Sequence, residues 1–372
     1  MTAKGARSVT GRPVLITGGS GFIGTNLAHR LLTDGHPVLV FDNLARPGVE
    51  QNLRWLRDTH GKMVQVVIAD VRDAAAVRRA VDQACQVFHF AAQVAVTTSL
   101  TDPVEDFDIN ARGALNVLEG IRAQANPPPL VFTSTNKVYG ALEDVALRRR
   151  NLRYEPADPS LRQTGVSETR PLDFHSPYGC SKGTADQYVL DYARSYGLPA
   201  VVFRMSCIYG SHQFGTEDQG WVAHFLIRAL EGRPITLYGD GRQVRDILSI
   251  EDLVEAFLRA QQHMPSESGQ AFNIGGGPRN TVSLLELLDL IAEVLGHKPE
   301  VRFDEWRTGD QRYYVSDTGK FQRATGWRPA VSVPEGLERL HRWLVEARRG
   351  APVIASIGEA GAHVRKAAGA ER

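Results

Sequence analysis

The stretch PVLITGGSGFIGTNLAHRLLTDG, Pro13 to Gly35, decides the fold. It opens as a β-branched apolar run, passes through a glycine-rich turn, and continues with apolar residues at helical spacing: strand, turn, helix. Gly18, Gly21 and Gly24 recur every third residue, where a missing side chain lets the backbone approach a pyrophosphate and lets the helix pack close to the strand. The phosphates would lie at the helix N-terminus, where unpaired N–H groups and the dipole favour an anion. A second apolar run, PVLVFDN, ends in Asp42, close to the roughly 20-residue offset of an acid that binds an adenosine ribose hydroxyl. A carboxylate there repels a 2′-phosphate, which favours NAD over NADP; Arg46 nearby points the other way.

Working outward, strand-like runs recur at MVQVVIAD, QVFHFAA, PLVFTST, AVVFRMSCIYG and FNIGGGPRN, with helix-like stretches between them at AAAVRRAVDQ and PVEDFDINARGALNVLEGIRAQ. Strands alternating with helices predict right-handed crossovers and an α/β, doubly wound parallel sheet of the Rossmann type. Such sheets bind ligands beyond the carboxyl ends of their strands. The strand ends are Asp70 and Val71, then Ala91, Ala92 and Gln93, then Thr133 to Lys137. Asp70 could accept from the adenine amine, and the small Ala91 and Ala92 leave room for a cofactor.

The chain has 372 residues, 42% hydrophobic and 23% charged, with a net charge of +1. That length predicts one large unit with a smaller lobe. The mixed charges mark no nucleic-acid groove and no anionic membrane surface. Cys85, Cys180 and Cys207 are odd in number and widely spaced, and the histidines have no ligand spacing, so neither a disulfide framework nor a metal site is expected. The N-terminal residues carry no apolar run, and no window approaches the roughly 18 apolar residues of a membrane span. The expected location is the reducing cytoplasm.

A second stretch, HSPYGCSK, sets Tyr178 four residues before Lys182, one turn apart on one helix face. A free phenol with a pKa of about 10 is a poor base, but a nearby ammonium favours the phenolate. Tyr178 could then exchange a proton with an alcohol. Any helix can carry this pair, so its meaning comes from the rest of the chain.

Together TGGSGFIG, DNL, AAQ, TSTNKVYG and YGCSK resemble the extended short-chain dehydrogenase/reductase family, the sugar-nucleotide epimerases and dehydratases, over about residues 13 to 345. The resemblance implies Thr135 as the hydroxyl that bonds the reacting alcohol, Tyr178 as acid/base, and Lys182 as the group that lowers its pKa and holds the nicotinamide ribose. It also implies a cofactor set, for a tightly held and recycled NAD, of Gly18, Gly21, Phe22, Ile23, Gly24, Asp42, Asn43, Asp70, Val71, Ala91, Ala92, Gln93, Thr133, Tyr178 and Lys182. The family's dehydratases carry Asp and Glu after the threonine, whereas here Asn136 and Lys137 follow Thr135. An amide cannot donate and recover a proton as a carboxyl does, which disfavours dehydration and favours epimerisation.

Further on, STNKVYG, LDFHSPYGCSKG, the Gln213 to Trp221 stretch and RQVRD are similar to the family's cytidine-diphosphate-sugar 2-epimerases. That likeness implies a substrate set of Gln93, Thr135, Asn136, Lys137, Ser206, Gln219, Arg245, Arg307, Asp310 and Arg312, the arginines clamping the diphosphate and Asp310 near the ribose. Guanidinium forks suit phosphate oxygens on physical grounds as well. Spacing alone fixes neither the carbon nor the base, so a 4-epimerase, or a 2-epimerase of another nucleotide sugar such as CDP-glucose, stays open. A dehydratase and a non-catalytic NAD sensor are the readings from other classes.

Residues 13–210, rejoined by 244–276, are expected to form the NAD-binding unit. Residues 211–243 and 277–348 form a smaller, mostly helical substrate lobe, with 141–170 an irregular polar loop. Leucine-rich stretches such as SLLELLDLIAEVLG read as packing helices. The Ala- and Gly-rich tail, 349–372, is expected to be disordered. A homo-oligomer, dimer or tetramer, is expected by analogy.

Overall fold

The computed structural model describes residues 11–350. Seven strands form its main sheet: β1 (Val14–Thr17), β2 (Val38–Asp42), β3 (Val64–Ile68), β4 (Gln86–His89), β5 (Leu130–Thr135), β6 (Ala200–Met205) and β7 (Gln270–Ile274). Their order is β7-β6-β5-β4-β1-β2-β3 and every pairing is parallel. The order reverses between β1 and β4, which opens the crevice where α/β sheets take their ligands.

These strands read as near-continuous apolar runs because both faces are covered. On one face Leu27 and Leu31 of helix Phe22–Thr33 and Phe257 of helix Ile250–Gln262 pack on Ile16, Val40 and Phe203. On the other, Val117 and Ile121 of helix Gly113–Arg122 and Val189 of helix Ser176–Tyr196 pack on Leu15, Phe132 and Val202.

The smaller lobe has its own core, with Phe225 and Leu226 of helix Trp221–Leu230, Leu287 and Ile291 of helix Leu284–Leu295, and Leu337 and Leu340 of helix Val333–Gly350. Val244–Ser249, expected with the larger unit, forms instead the centre of a small sheet, pairing with Thr281–Ser283, Tyr313–Tyr314 and Cys207–Tyr209. Its alternating side chains serve both units, Leu248 entering the main core and Ile247 the lobe core. Ile235–Tyr238 pairs in parallel with Val301–Asp304. The polar stretch expected as an irregular loop contains a hairpin, Leu147–Arg149 with Tyr154–Pro156, and a short helix, Pro159–Thr164.

The expected disordered tail lies outside the described residues, apart from the end of helix Val333–Gly350. No described helix is long and apolar enough to cross a membrane. Among the described residues no cluster of three or more His, Cys, Asp or Glu could hold a metal ion.

Candidate active site

The glycine turn leaves β1 tightly. Gly18 takes φ +67°, and a Cβ there would lie 2.8 Å from the Ala91 nitrogen at the end of β4. At Gly24 a Cβ would lie 2.4 Å from the Gly18 carbonyl oxygen. Around Gly21 only that same oxygen comes within 4 Å, so the space above the helix N-terminus is open. Phe22 and Ile23 start the helix and pack against the main core. Bare backbone, an open helix terminus and a strand-end carboxylate are the donors and shape a dinucleotide needs.

That carboxylate is Asp42. Its oxygens accept from the Ser20 N–H at 3.0 Å and the Leu44 N–H at 2.9 Å, which ties the turn to the end of β2. Burial pushes its pKa up, while these N–H groups and Arg46 pull it down. Leu44 stands at φ +55°, a backbone that residues with side chains seldom adopt.

Other strand-end residues are placed differently from expectation. Asp70 accepts from Arg72 through Nε at 2.9 Å, through Nη2 at 2.8 Å and through the backbone N–H at 2.8 Å, and from Asn43 Nδ2 at 2.9 Å. Arg72 holds its pKa down to about 2. Four donors fill the roughly four lone-pair sites of a carboxylate, so Asp70 has none left for an adenine amine. Val71 is buried, and its methyl would meet a Cβ on Gly113 at 2.8 Å. The N–H of Ala91 donates to Thr17 Oγ1 at 3.2 Å, and Ala92 follows it, half-buried. Gln93 folds onto its own loop, its amide bonding the Ala95 carbonyl at 2.8 Å and the Ala95 N–H at 2.5 Å.

Helix Ser176–Tyr196 carries the tyrosine and lysine. Ser176 is at φ +66° immediately before Pro177, an unfavourable backbone two residues from Tyr178. Tyr178 is buried and its N–H donates to Ser99 Oγ at 3.1 Å. Its phenol faces Thr135 at the end of β5. Lys182 is also buried; its Nζ donates to the Thr133 carbonyl at 2.6 Å and stands 4.5 Å from the Phe132 ring centre. The Thr133 hydroxyl in turn donates to the His89 carbonyl at 3.3 Å. Between the pair, Ser181 Oγ donates to Asp106 at 2.5 Å, and Asn110 Nδ2 donates to Asp106 at 3.1 Å.

The electrostatics depart from the expectation drawn from spacing. Burial pushes the Tyr178 phenol up to about 12, with Asp106 adding to the rise and Thr135 opposing it. Burial also lowers Lys182 to about 8, against the pull of Asp186 and Asp106. The spacing puts the ammonium one turn away, but one of its three N–H groups points to the Thr133 carbonyl and no attraction from it offsets the burial of the phenol, so in this arrangement desolvation decides the sign for Tyr178.

Beside Thr135 the expected substrate residues come together. Asn136 Nδ2 donates to Gln311 Oε1 at 3.0 Å, and Gln311 Nε2 donates to the Gly140 carbonyl at 2.6 Å. Lys137 Nζ donates to the Gly309 carbonyl at 3.0 Å and lies 3.9 Å from Asp310; burial lowers its pKa to about 8. Arg245, nearly buried, donates to Asp310 at 2.6 Å. Gln243 reaches the other Asp310 oxygen at 3.5 Å.

Arg307 lies over the Tyr238 ring at 3.7 Å and donates to the Glu217 carbonyl at 2.9 Å, with Asp218 3.6 Å away. Arg312 stands 5.4 Å from the Trp306 ring and 5.9 Å from the Tyr154 ring. Gln219 bonds Arg46, linking the lobe to the Asp42 loop. Ser206 does not present a free hydroxyl: it donates to Asp246, a buried carboxylate that also accepts from the Gly277 N–H at 3.0 Å.

Gln311, Gln243, Trp306 and the Ser181–Asp106–Asn110 triad were not singled out from sequence. Gln311 lies inside RTGDQR, but its charged neighbours carried the signal. Only the fold places it against Asn136, 175 positions away.

Residues 14–275 match the NAD dependent epimerase/dehydratase family, and the chain belongs to it. The cofactor is NAD, and the enzyme class is that of the nucleotide-sugar epimerases. Among the relatives, the CDP-paratose 2-epimerase of Salmonella typhi is 43% identical over 339 residues, covering 89% of this chain and 98% of that protein. The UDP-glucose 4-epimerase of Thermus thermophilus, solved in complex with NAD, is 35% identical with a TM-score of 0.74, covering 90% of this chain and 99% of that one. The UDP-glucose 4-epimerase of Thermotoga maritima, solved with UDP-glucose, has a TM-score of 0.77 at 30% identity, covering 90% and 99% respectively.

Proposed function

We propose that this enzyme inverts C2 of a CDP-linked sugar, converting CDP-paratose to CDP-tyvelose through a transient 2-keto sugar. The observation that carries the reading is the pair Asn136 and Lys137, set directly after Thr135 on a turn that packs on the helix of Tyr178. An amide and an amine occupy the place where a dehydration would need carboxyls. The 43% identity to a CDP-paratose 2-epimerase supports the same carbon and nucleotide.

The glycine turn, Asp42 and Lys182 would hold the NAD, which when bound would supply the hydride acceptor and donor. Tyr178 takes the proton of the C2 hydroxyl; once the 2-keto sugar has turned in the pocket and presents its other face for hydride return, Tyr178 gives the proton back to the oxygen. It must enter that step as phenolate, and the ammonium of Lys182 is the cation its own helix offers against the cost of burial. Thr135 holds the reacting oxygen. Arg245, Arg307 and Arg312 take the diphosphate, and Asp310 takes the ribose. A reaction with no net redox change would need no added cofactor.

Leu100, Val104, Phe107, Tyr188 and Tyr196 are exposed on neighbouring helices, an apolar face that supports the homo-oligomer expected above. The composition and reduced cysteines fit a cytoplasmic location.

The test is to incubate the purified protein in D2O, without added NAD, with CDP-paratose and separately with CDP-glucose, following the sugar protons by NMR. Inversion at C2 without solvent deuterium is expected for CDP-paratose. Deuterium at C2 would replace the hydride scheme with proton abstraction, turnover of CDP-glucose would move the substrate assignment, and inversion at C4 would overturn the assigned carbon.

A further inference from the structure

Two amides join the smaller lobe to the glycine turn, and each spends both of its hydrogens there. Asn26 Nδ2 donates to the Phe22 carbonyl and to the Ser211 carbonyl, both at 2.8 Å. Asn52 Nδ2 donates to the Ser20 carbonyl and to the His212 carbonyl, both at 3.2 Å. Carbonyls only accept, so the Asn52 atom facing them is the nitrogen. Its oxygen then takes the hydrogen of His212 Nδ1, 3.2 Å away. Two successive carbonyls of the segment that enters the lobe, Ser211 and His212, are bridged in this way to Phe22 and Ser20 of the turn. Asn52 is 2% exposed, so water does not compete for its bonds.

Apolar contacts seat the same segment. The His212 ring stands 4.1 Å from the ring of Trp55 in helix Val49–His60 and 5.2 Å from that of Trp343 in the lobe helix Val333–Gly350. His212 takes φ +66°, a backbone that these contacts hold in place. Phe214 covers Gly48, where a Cβ would lie 2.7 Å from its ring. Further along, Gln219 bonds Arg46, which Asp42 attracts. Ser20 is therefore held at its carbonyl by Asn52 and the lobe, and at its N–H by Asp42 at 3.0 Å.

We propose that Asn26 and Asn52 are positioning residues that staple the segment from Ser211 to Gln219 onto the phosphate turn, so that the turn can release NAD only when the lobe lifts. With the staple closed, the unpaired N–H groups at the start of helix Phe22–Thr33 keep one aim. With it open, the Ser20 and Phe22 carbonyls lose their amide partners and the turn is free to move. The same segment carries Glu217 and Asp218, which hold Arg307, so one stretch of chain runs from the cofactor turn to the arginine clamp. Cofactor exchange is then a motion of the sugar lobe rather than of the turn alone. The inference rests on the reading of the glycine turn as the NAD site.

The experiment loads the enzyme with NAD, removes the excess by gel filtration, and mixes it with alcohol dehydrogenase and ethanol, which reduce NAD as it is released. NADH absorbance then gives the release rate with no sugar nucleotide present. Asn52→Leu keeps the volume and removes the amide, and should release NAD about tenfold faster than the unaltered enzyme. Asn26→Leu, at a half-buried position, should give a smaller acceleration, about threefold. Phe214→Ala loosens the segment from the lobe side, should also speed release, and replaces Asn52→Leu if that protein fails to fold. Leu287→Ala weakens the lobe core away from the segment; it should lower Tm and leave the release rate unchanged. Unchanged release in the folded staple variants overturns the proposal. Release from Leu287→Ala as fast as from the staple variants also overturns it, since release would then follow stability alone. Gly21→Ala, which fills the open space at the turn, separates the proposal from the reading beneath it. Loss of NAD from Gly21→Ala with unchanged rates in the staple variants overturns the staple alone, whereas full retention in Gly21→Ala overturns the turn as the cofactor site and the staple with it.

Discussion

The two ends of the site are held in opposite ways. At the Tyr178 end, polar side chains are anchored largely on backbone: Lys182 on the Thr133 carbonyl, Gln311 on the Gly140 carbonyl, and the Ser99 hydroxyl on the Tyr178 N–H. At the arginine end, charged side chains are held largely against carboxylates, with backbone carbonyls beside them: Arg245 with Asp310, Lys137 between the Gly309 carbonyl and Asp310, and Arg307 between the Glu217 carbonyl and the Glu217 and Asp218 carboxylates. A proton-transfer group gains from fixed dipoles that do not reorganise. A clamp for a charged diphosphate gains from carboxylates that neutralise its arginines and can give way to a stronger anion. The chemistry end is built to stay, and the recognition end to exchange partners.

If that contrast is right, mutations at the first end act on kcat and mutations at the second act on KM. Tyr178→Phe should show the largest effect, a fall in kcat of about 10²- to 10⁴-fold with little change in KM, measured by NMR progress curves. A comparable loss in KM instead would erase the distinction. Arg245→Met should raise KM by roughly 10- to 100-fold while kcat holds, the loss of charge-assisted bonds to phosphate.

Lys182 sharpens the contrast through stability. Its folded pKa of about 8 lies below the 10.5 of an unfolded lysine, so between those values the unfolded chain binds the extra proton. Stability should therefore rise with pH in that window, by about 2 kcal/mol from pH 8 to 10. Denaturant unfolding of Lys182→Met should show a rise smaller by that amount, the remainder coming from Lys137, which burial also lowers to about 8; an undiminished slope would mean that burial of the Lys182 ammonium is not its source. The smallest effect belongs to Arg307→Ala at the partly exposed rim. It should raise KM by less than about tenfold, and less again at 1 M salt, where screening has already weakened its pairs.

What the sequence made legible follows the range over which each feature is determined. The seven strands were readable because a parallel sheet covered on both faces writes itself as continuous apolar runs. Gly18, Asp42, Tyr178 and Lys182 could be singled out because each stands at an offset within one turn or one strand–helix unit, and Thr135 through the family resemblance. Three features were not. Val244–Ser249 looks like any buried strand, and only its partners Thr281–Ser283 and Tyr313–Tyr314 assign it to the small sheet. Ser206 looks available until Asp246, 40 positions on, takes its hydroxyl. The Tyr178 phenol looked depressed by a lysine one turn away, but spacing carries no information about burial or about the Thr133 carbonyl that takes the ammonium.

The strand Val244–Ser249 also bears on how such enzymes could be recombined. Ile247 and Leu248 are adjacent in the chain yet belong to different cores. A chimera that grafts another relative's recognition lobe at any single junction near this strand would split one core or the other. Exchanging sugar preference between relatives should therefore require trading several separate segments at once, with the shared strand kept from a single parent.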